Sequence, residues 1–233
     1  MTLRASLAVT LAALVVVNIV DIRVPDASLI AGPACVAGLA ALARLAGLSW
    51  QDLGLGHRTW RRGLRWAGLI VLIVGVVIAA GAALPATRDL FRDTRYRLDW
   101  PMALLTAFVL IPVGTVLVEE MAFRSVLWGL LRRAFGLPAA TVASSLLFGL
   151  WHVLPSMRLA ADNRFISGAV GHGVAAQALA VTGAVGFTAL SGVVFCELRR
   201  RSGSVLASAG LHWATNALSV LASAAVWAWG TAR

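Results

Sequence analysis

Apolar stretches of about 20 residues recur along the whole sequence, which is close to the length a helix needs to cross a bilayer. Short segments that contain arginine separate these stretches. Inside a bilayer every backbone polar group must be paired, and a helix does this within one segment. The chain has 233 residues, of which 60% are hydrophobic and 13% are charged. The pattern predicts an all-α, polytopic transmembrane helix bundle with about seven (6–8) spans.

The predicted spans are bounded by charged residues, and the fourth is longer than one crossing requires. Pro112 lies inside this fourth region, where it removes a backbone hydrogen bond, so we expect a kink or a break there. Residues 49–65 mix Trp with Arg and are predicted to lie at the membrane interface. We expect N-terminal helices in 1–99, a functional core in 100–221, and the end of the last span with a tail in 222–233. The predicted spans are 3–20, 28–46, 66–84, 100–131, 138–154, 174–195 and 205–229.

The basic residues indicate how the chain is oriented. All 20 are arginine, which favours a bacterial source, and the formal net charge is +10. Arginines cluster at 44–65, 132–133 and 199–201, whereas 88–99 mixes four Arg with three Asp. Cytoplasmic loops are enriched in basic residues, so we interpret these clusters as topology determinants and not as a nucleic-acid site. The prediction is an integral protein of the bacterial cytoplasmic (inner) membrane with a cytoplasmic N-terminus.

Two of the three glutamates, Glu119 and Glu120, are adjacent within a predicted span. A charge there costs about 2.5 kcal/mol or more, so it needs a partner or a wet cavity. Glu120 and Arg124 are four residues apart and can pair, while Glu119 points about 100° away. One carboxylate could therefore act as general base toward water while its neighbour is held by arginine. The alternative is a purely structural ion pair.

Three further polar residues lie in other predicted spans. His152 follows Phe148 by one helical turn, and His212 and Asn216 are stacked on one helix face. Counted from the nearest arginine-rich ends, Glu119, His152 and Asn216 fall roughly 20 Å deep and His212 roughly 16 Å. Each of these residues, taken alone, could simply make a polar contact between helices. A shared depth on three helices favours one site.

Two chemistries fit this set. In the first, Glu119, His152 and His212 bind Zn²⁺, which activates water at an open coordination position. In the second, Glu119 and His152 activate water directly, and His212 and Asn216 donate hydrogen bonds to the tetrahedral oxyanion. The residues alone leave both open.

These segments resemble the motifs of the CAAX protease and bacteriocin-processing family of intramembrane peptidases, namely EExxxR, FxxxH and HxxxN. Here they read Glu119-Glu120 to Arg124, Phe148 to His152, and His212 to Asn216. The resemblance implies a membrane endopeptidase, CAAX-protease-like, whose site opens toward the cytoplasm. It implies that Glu119 activates water, that Glu120 and Arg124 support it, that His152 is a second activator, and that His212 and Asn216 are ligands or oxyanion donors.

The expected partners are the lipid bilayer and a membrane-embedded or lipidated peptide or protein substrate, with no nucleic acid. One alternative is a non-catalytic immunity or scaffold membrane protein of the same fold. A proton-coupled transporter is disfavoured because no inverted repeat is evident.

Overall fold

Six long helices account for most of the residues that the computed structural model describes, which are 2–24 and 28–231. Thr2 and Asp99 cap two of them by accepting hydrogen bonds from the backbone N–H groups of Ala5 and Met102. No β-strand occurs in these ranges, apart from an isolated bridge between Asp93 and Asn163. The helices are α1 (Leu3–Arg23), α2 (Ser28–Leu45), α3 (His57–Ala83), α4 (Trp100–Trp151), α5 (Val174–Ser202) and α6 (Val205–Thr231).

Five of these helices are long and apolar enough to cross a membrane, and α2 is a shorter apolar helix. Helix α4 has 52 residues, about 78 Å at 1.5 Å per residue, whereas one crossing of the hydrocarbon core needs about 30 Å. It bends at Gly136, whose φ of 80° and ψ of 177° suit only glycine. Its two arms, 100–135 and 137–151, bring the apolar helical segments to seven, and the prediction of an all-α polytopic bundle is confirmed.

Of the kink or break expected at Pro112, the break does not occur, because the first arm of α4 stays helical through that residue. The winding there is of the wider π type, over Thr106–Val116 and again over Glu120–Leu127. In this winding the N–H of Leu117 donates to the carbonyl of Pro112, five residues earlier. The shifted hydrogen-bond register accommodates a residue that has no N–H. The chain turns at Gly136, within the connection between predicted spans 100–131 and 138–154.

The predicted interfacial segment 49–65 is divided between two structures. Helix α3 begins at His57, so the arginines at 58–65 lie on its first turns. The residues before it turn back into the protein, and Leu48 and Leu53 are buried. Burial of these two side chains explains why this part packs on the core instead of lying along the membrane surface.

Small residues let the helices pack closely. Gly210 on α6 lies against Ala67 on α3, and Gly149 on the second arm of α4 lies against Val185 and Ala189 on α5. The outward faces carry exposed apolar side chains, as a bilayer-facing surface requires; examples are Leu72, Val76, Phe187 and Leu190.

The connections divide the bundle into two ends. Segment 46–56 lies beside 203–204, because the N–H of Val205 donates to the carbonyl of Gly54. We call this end of the bundle the arginine-rich end. It also contains the bend of α4 at Gly136. At the opposite end, which we call the loop end, the hydroxyl of Thr94 donates to the carbonyl of Asp162 and thereby joins connections 84–99 and 152–173.

Candidate active site

The paired glutamates lie on the first arm of α4 and face different surroundings. Glu120 is 2% exposed, and its Oε1 lies 3.0 Å from Nδ1 of His212 and 3.7 Å from Nε of Arg124. Oε1 of Glu119 accepts a hydrogen bond of 2.9 Å from Nε1 of Trp151, and its Oε2 lies 3.6 Å from Nε2 of His212. The imidazole of His212 therefore stands between two carboxylates, and each ring nitrogen faces one of them.

Arg124 lies on the side of the paired glutamates that faces the arginine-rich end. Its guanidinium carbon lies 3.7 Å from the ring centroid of Phe148 and 4.6 Å from that of Phe195. Its nitrogens make no hydrogen bond to a described residue, so the cation is held by the aromatic faces and by the charge of Glu120. Phe195 also stacks on His212 with ring centroids 5.3 Å apart. This packing seals the carboxylates from the arginine-rich end.

A cavity of about 460 Å³ lies on the other side of Glu119. Glu119, His152 and Asn216 all line it, although they come from three helical segments distant in sequence. Behind the residues that line the cavity lie Glu120, Arg124 and His212. Of the six residues singled out in the sequence, three are therefore in contact with the cavity and three form a buried layer beneath it. The remaining lining residues are Asn18, Arg95, Tyr96, Gly114, Thr115, Val118, Trp151, Pro155, Ser156, Leu159, Thr188, Thr215 and Ser219.

His152 follows the last residue of α4 and is half-buried. Its Nδ1 lies 2.8 Å from the carbonyl oxygen of Phe148. A carbonyl oxygen only accepts hydrogen bonds, so Nδ1 carries the hydrogen and donates the hydrogen bond. In the neutral ring Nε2 is then an acceptor. His152 can thus accept a hydrogen bond from a water molecule, with its ring held by the helix end.

Trp151 and Asn18 were not found from the sequence. Trp151 donates to Glu119, and Nδ2 of Asn18 on α1 donates to the carbonyl of Trp151 at 2.9 Å. The signal for Asn18 was present, since it is a polar residue inside an apolar span. Trp151 occupies an x position of the FxxxH motif, so the motif does not single it out. Nothing in the sequence indicates that its indole reaches a carboxylate 32 residues away.

The proposed zinc ligands do not form a metal site in this arrangement. Among the described residues, no three His, Cys, Asp or Glu side chains are grouped so that they could hold a metal ion. Glu119 and His212 lie next to each other in space, but both nitrogens of His212 already face carboxylates. Nδ1 of His152 is occupied by the carbonyl of Phe148. Zinc use stays a prediction that direct measurement must decide.

An apolar groove lies beside the cavity. It has a volume of about 470 Å³ and lies between α1 and the second arm of α4. Asn18 and Trp151 line both the groove and the cavity. The other residues of the groove are apolar: Leu11, Leu14, Val15, Ile19, Phe123, Leu147, Leu150 and Leu154.

The fold and the site define a multi-helix membrane protein with a glutamate–histidine site inside its helix bundle. The family model described as Type II CAAX prenyl endopeptidase Rce1-like matches residues 100–218. This match covers more than half of the chain and contains every motif residue, so the chain belongs to that family, which is generally one of proteases. No curated protein and no solved structure matches the chain.

Proposed function

We propose that this chain is an intramembrane endopeptidase that hydrolyses a peptide bond of a membrane-embedded or lipidated peptide or protein with activated water. The observation that carries the proposal is the position of Glu119. It is the carboxylate that lines the cavity. Trp151 donates a hydrogen bond to its Oε1, and Nε2 of His212 lies 3.6 Å from its Oε2. Family membership supports protease activity in general terms.

In the proposed reaction, a water molecule in the cavity lies between Glu119 and Nε2 of His152. Glu119 takes one proton from the water, and Nε2 accepts the hydrogen bond of the other. The water oxygen attacks the carbonyl carbon of the peptide. The amide of Asn216 donates to the developing oxyanion. When the C–N bond breaks, Glu119 returns its proton to the leaving amine.

The buried layer supports this step without contacting the substrate. Glu120, with Arg124 on one side and His212 on the other, fixes the imidazole whose Nε2 faces Glu119. Both nitrogens of His212 point to carboxylates, which leaves Asn216 as the oxyanion donor that faces the cavity. We propose that side chains activate the water, because no three His, Cys, Asp or Glu side chains among the described residues are grouped so that they could hold a metal ion.

A membrane-associated substrate is supported by the apolar groove. An acyl, prenyl or transmembrane segment in this groove would bring a connected peptide past Trp151 to Glu119, since both cavities share that residue. The absence of lysine and the arginine clusters support the cytoplasmic membrane of a bacterium as its location.

The test compares variants of Glu119, His152 and Glu197 with the parent as purified proteins, with quenched fluorescent peptides that carry an apolar anchor as substrates. Glu119→Gln and His152→Ala are each expected to lower kcat/KM by roughly 10²- to 10⁴-fold, the usual contribution of a general base. Glu197→Gln is the matched control, because Glu197 is an exposed glutamate paired with Arg200 and Arg201. Equal turnover in all four proteins would refute the proposal. A folded parent without turnover on any such peptide would favour a non-catalytic scaffold.

A further inference from the structure

Asn18 on α1 lines both the apolar groove and the active-site cavity. It lies outside the residues that the family model matches. The side chains that α1 contributes to the groove recur every three or four residues, so they form one face of the helix. Asn18 is the polar member of this face, and an amide there costs free energy unless it has polar partners. The other members are Leu11, Leu14, Val15 and Ile19.

One half of the Asn18 amide already has a partner. Its Nδ2 donates to the backbone carbonyl of Trp151 at 2.9 Å. Since a carbonyl oxygen only accepts hydrogen bonds, this contact fixes which end of the amide is the nitrogen. The other end, Oδ1, makes no hydrogen bond to a described residue. The side chain is therefore anchored through its nitrogen and offers its oxygen as a hydrogen-bond acceptor.

The other buried polar side chains of α1 are satisfied within their own helix. The hydroxyl of Ser6 donates to the carbonyl of Thr2, and the hydroxyl of Thr10 donates to the carbonyl of Ser6. Asn18 differs from them because its hydrogen bond crosses to the end of α4. It reaches there the residue whose indole holds Glu119. Its place beside the site therefore does not come from the packing of α1 alone.

A peptide that passes from the groove toward Glu119 has backbone N–H groups that need acceptors. A transmembrane helix pairs these groups internally, but it must unwind before one of its peptide bonds can react. The peptide next to a lipid anchor has no such internal pairing. An N–H group left unpaired in apolar surroundings costs free energy. Among the described residues that line the groove, Asn18 carries the one side-chain acceptor, because the indole of Trp151 only donates.

We infer that Asn18 is a substrate-binding residue whose Oδ1 accepts a hydrogen bond from a backbone N–H of the peptide where the peptide leaves the groove. The contact requires an N–H group at one residue close to the apolar anchor. Proline and N-methylated residues are therefore disfavoured at that residue. This inference rests on the proposed function for its substrate. A purely positioning role is the alternative that the test must separate, since the same amide holds the carbonyl of Trp151.

N-methylation of the substrate, one peptide bond at a time, tests the contact in the unmodified protein. The substrates are quenched fluorescent peptides that carry an apolar anchor. Methylation at one position close to the anchor is expected to lower kcat/KM about tenfold, as the loss of one hydrogen bond in a buried setting would. The loss should lie mainly in KM, because the contact is not made to the reacting atoms. A profile without a sensitive position overturns the inference.

Variants of Asn18 then identify the acceptor. Asn18→Leu, which is similar in size, and the smaller Asn18→Ala should each raise KM for the unmethylated peptide about tenfold. Both should be insensitive to methylation at the position that is sensitive in the parent, because the acceptor is already gone. Thr10→Val is the matched control on the same helix and should keep the profile of the parent, since the Thr10 hydroxyl bonds within α1.

The same methylation profile in the parent and in the Asn18 variants overturns the inference. A lower kcat for every peptide, with the profile unchanged, also overturns it and indicates a positioning residue. If the parent cleaves none of the peptides, the peptidase proposal fails, and the Kd of the same peptides, measured by fluorescence anisotropy, decides the inference separately. A methylation penalty on Kd that the Asn18 variants abolish supports the contact, and a penalty that persists in them overturns it.

Discussion

At the arginine-rich end of the bundle the connections pack into the protein, whereas at the loop end they surround a cavity. Arg199 on α5 donates to the backbone carbonyls of Gln51 and Asp52, and the Ser125 hydroxyl donates to the carbonyl of Leu53. At the loop end, Asp93 and Asn163 form one short bridge between two longer connections.

The difference between the ends matches the needs of a hydrolytic site inside a membrane. Carboxylates keep a fixed geometry when the layer beneath them is rigid and dry. Peptide and water must still reach them, and this requires an opening on the other side. Substitutions in the closed base around Arg124 should therefore have the largest effect, substitutions in the site a smaller one, and substitutions at the mouth of the cavity, near Arg95 and Tyr96, the smallest.

The largest effect is expected when the closed base loses its cation. Arg124→Met keeps an extended apolar side chain among Phe148 and Phe195 but leaves Glu120 buried without its arginine. Removing one partner of a buried pair costs about 3–5 kcal/mol. Unfolding in detergent, followed by circular dichroism, should show this loss.

Two matched variants complete that experiment. Arg201→Met removes a cation from the exposed pair with Glu197 and is expected to leave unfolding unchanged. The double variant Arg124→Met/Glu120→Gln should recover part of the lost stability, because no uncompensated charge remains. Arg124→Met with parental stability would mean that Glu120 does not depend on this cation.

A smaller effect is expected from the indole that holds Glu119. Trp151→Phe keeps an aromatic ring but removes the Nε1 donor to Oε1 of Glu119. We expect kcat to fall about tenfold, which corresponds to about 1.4 kcal/mol, while KM changes little because the indole positions the base and does not act on the substrate. Trp213→Phe is the control, because Trp213 donates instead to the carbonyl of Ala107. An equal loss of kcat in both variants would indicate a general packing effect and contradict a positioning role for Trp151.

Much of this fold could be predicted because apolar length and charge are local signals. All seven apolar segments were found, and the predicted starts at residues 3, 28, 100, 174 and 205 match the observed helices. The start of α3 at His57 was missed because Leu53 is buried by tertiary packing, which a membrane-interface pattern does not encode. The connection between predicted spans 100–131 and 138–154 contains Gly136, where the chain turns, whereas a break at Pro112 does not occur because π-type winding absorbs the missing N–H of proline.

The site was predictable to the extent that its residues lie on the long helices or directly at their ends. Counting residues from the arginine clusters placed Glu119, His152 and Asn216 at one depth, and the three line one cavity. The count gave neither the contact of Trp151 with Glu119 nor the path to the cavity through Arg95 and Tyr96. Those features depend on how segments distant in sequence meet, and connection 84–99 had no periodic pattern from which its fold could be read.

At the mouth of the cavity a still smaller effect is expected from Asp93. Burial would raise the pKa of its carboxyl, but hydrogen bonds and charge from Arg95, with a hydrogen bond from Asn163, outweigh it and hold the pKa below the ordinary value of 3.8. The carboxylate therefore stabilises the mouth above pH 3.8, and this stability is lost as the pH falls through the lowered folded-state pKa. Asp93→Asn should cost about 1 kcal/mol at pH 7.

The pH dependence distinguishes this from a general packing defect. The difference in unfolding free energy between the parent and Asp93→Asn should be constant from pH 7 to pH 5 and shrink only in more acidic solution. Asp89→Asn is the control, since the Asp89 side chain is 68% exposed. A difference that disappears already near pH 6 would show that another group titrates at the mouth.

No effect is expected from removal of metal ions. Among the described residues no three potential ligands are grouped so that they could hold a metal ion. A zinc site would require Nε2 of His152 and Nε2 of His212 to converge beside Glu119, while Nδ1 of each ring keeps its present partner. Parent protein treated with a strong chelator, stripped of the chelator and analysed for metals should contain substoichiometric zinc and keep its full turnover. Stoichiometric zinc, with turnover lost on chelation and restored by zinc alone, would replace the proposed side-chain activation of water with a metal-bound water. In that case the same measurement on Glu120→Gln would show whether Glu120 supports His212 as a ligand, because loss of the carboxylate at Nδ1 should weaken zinc binding.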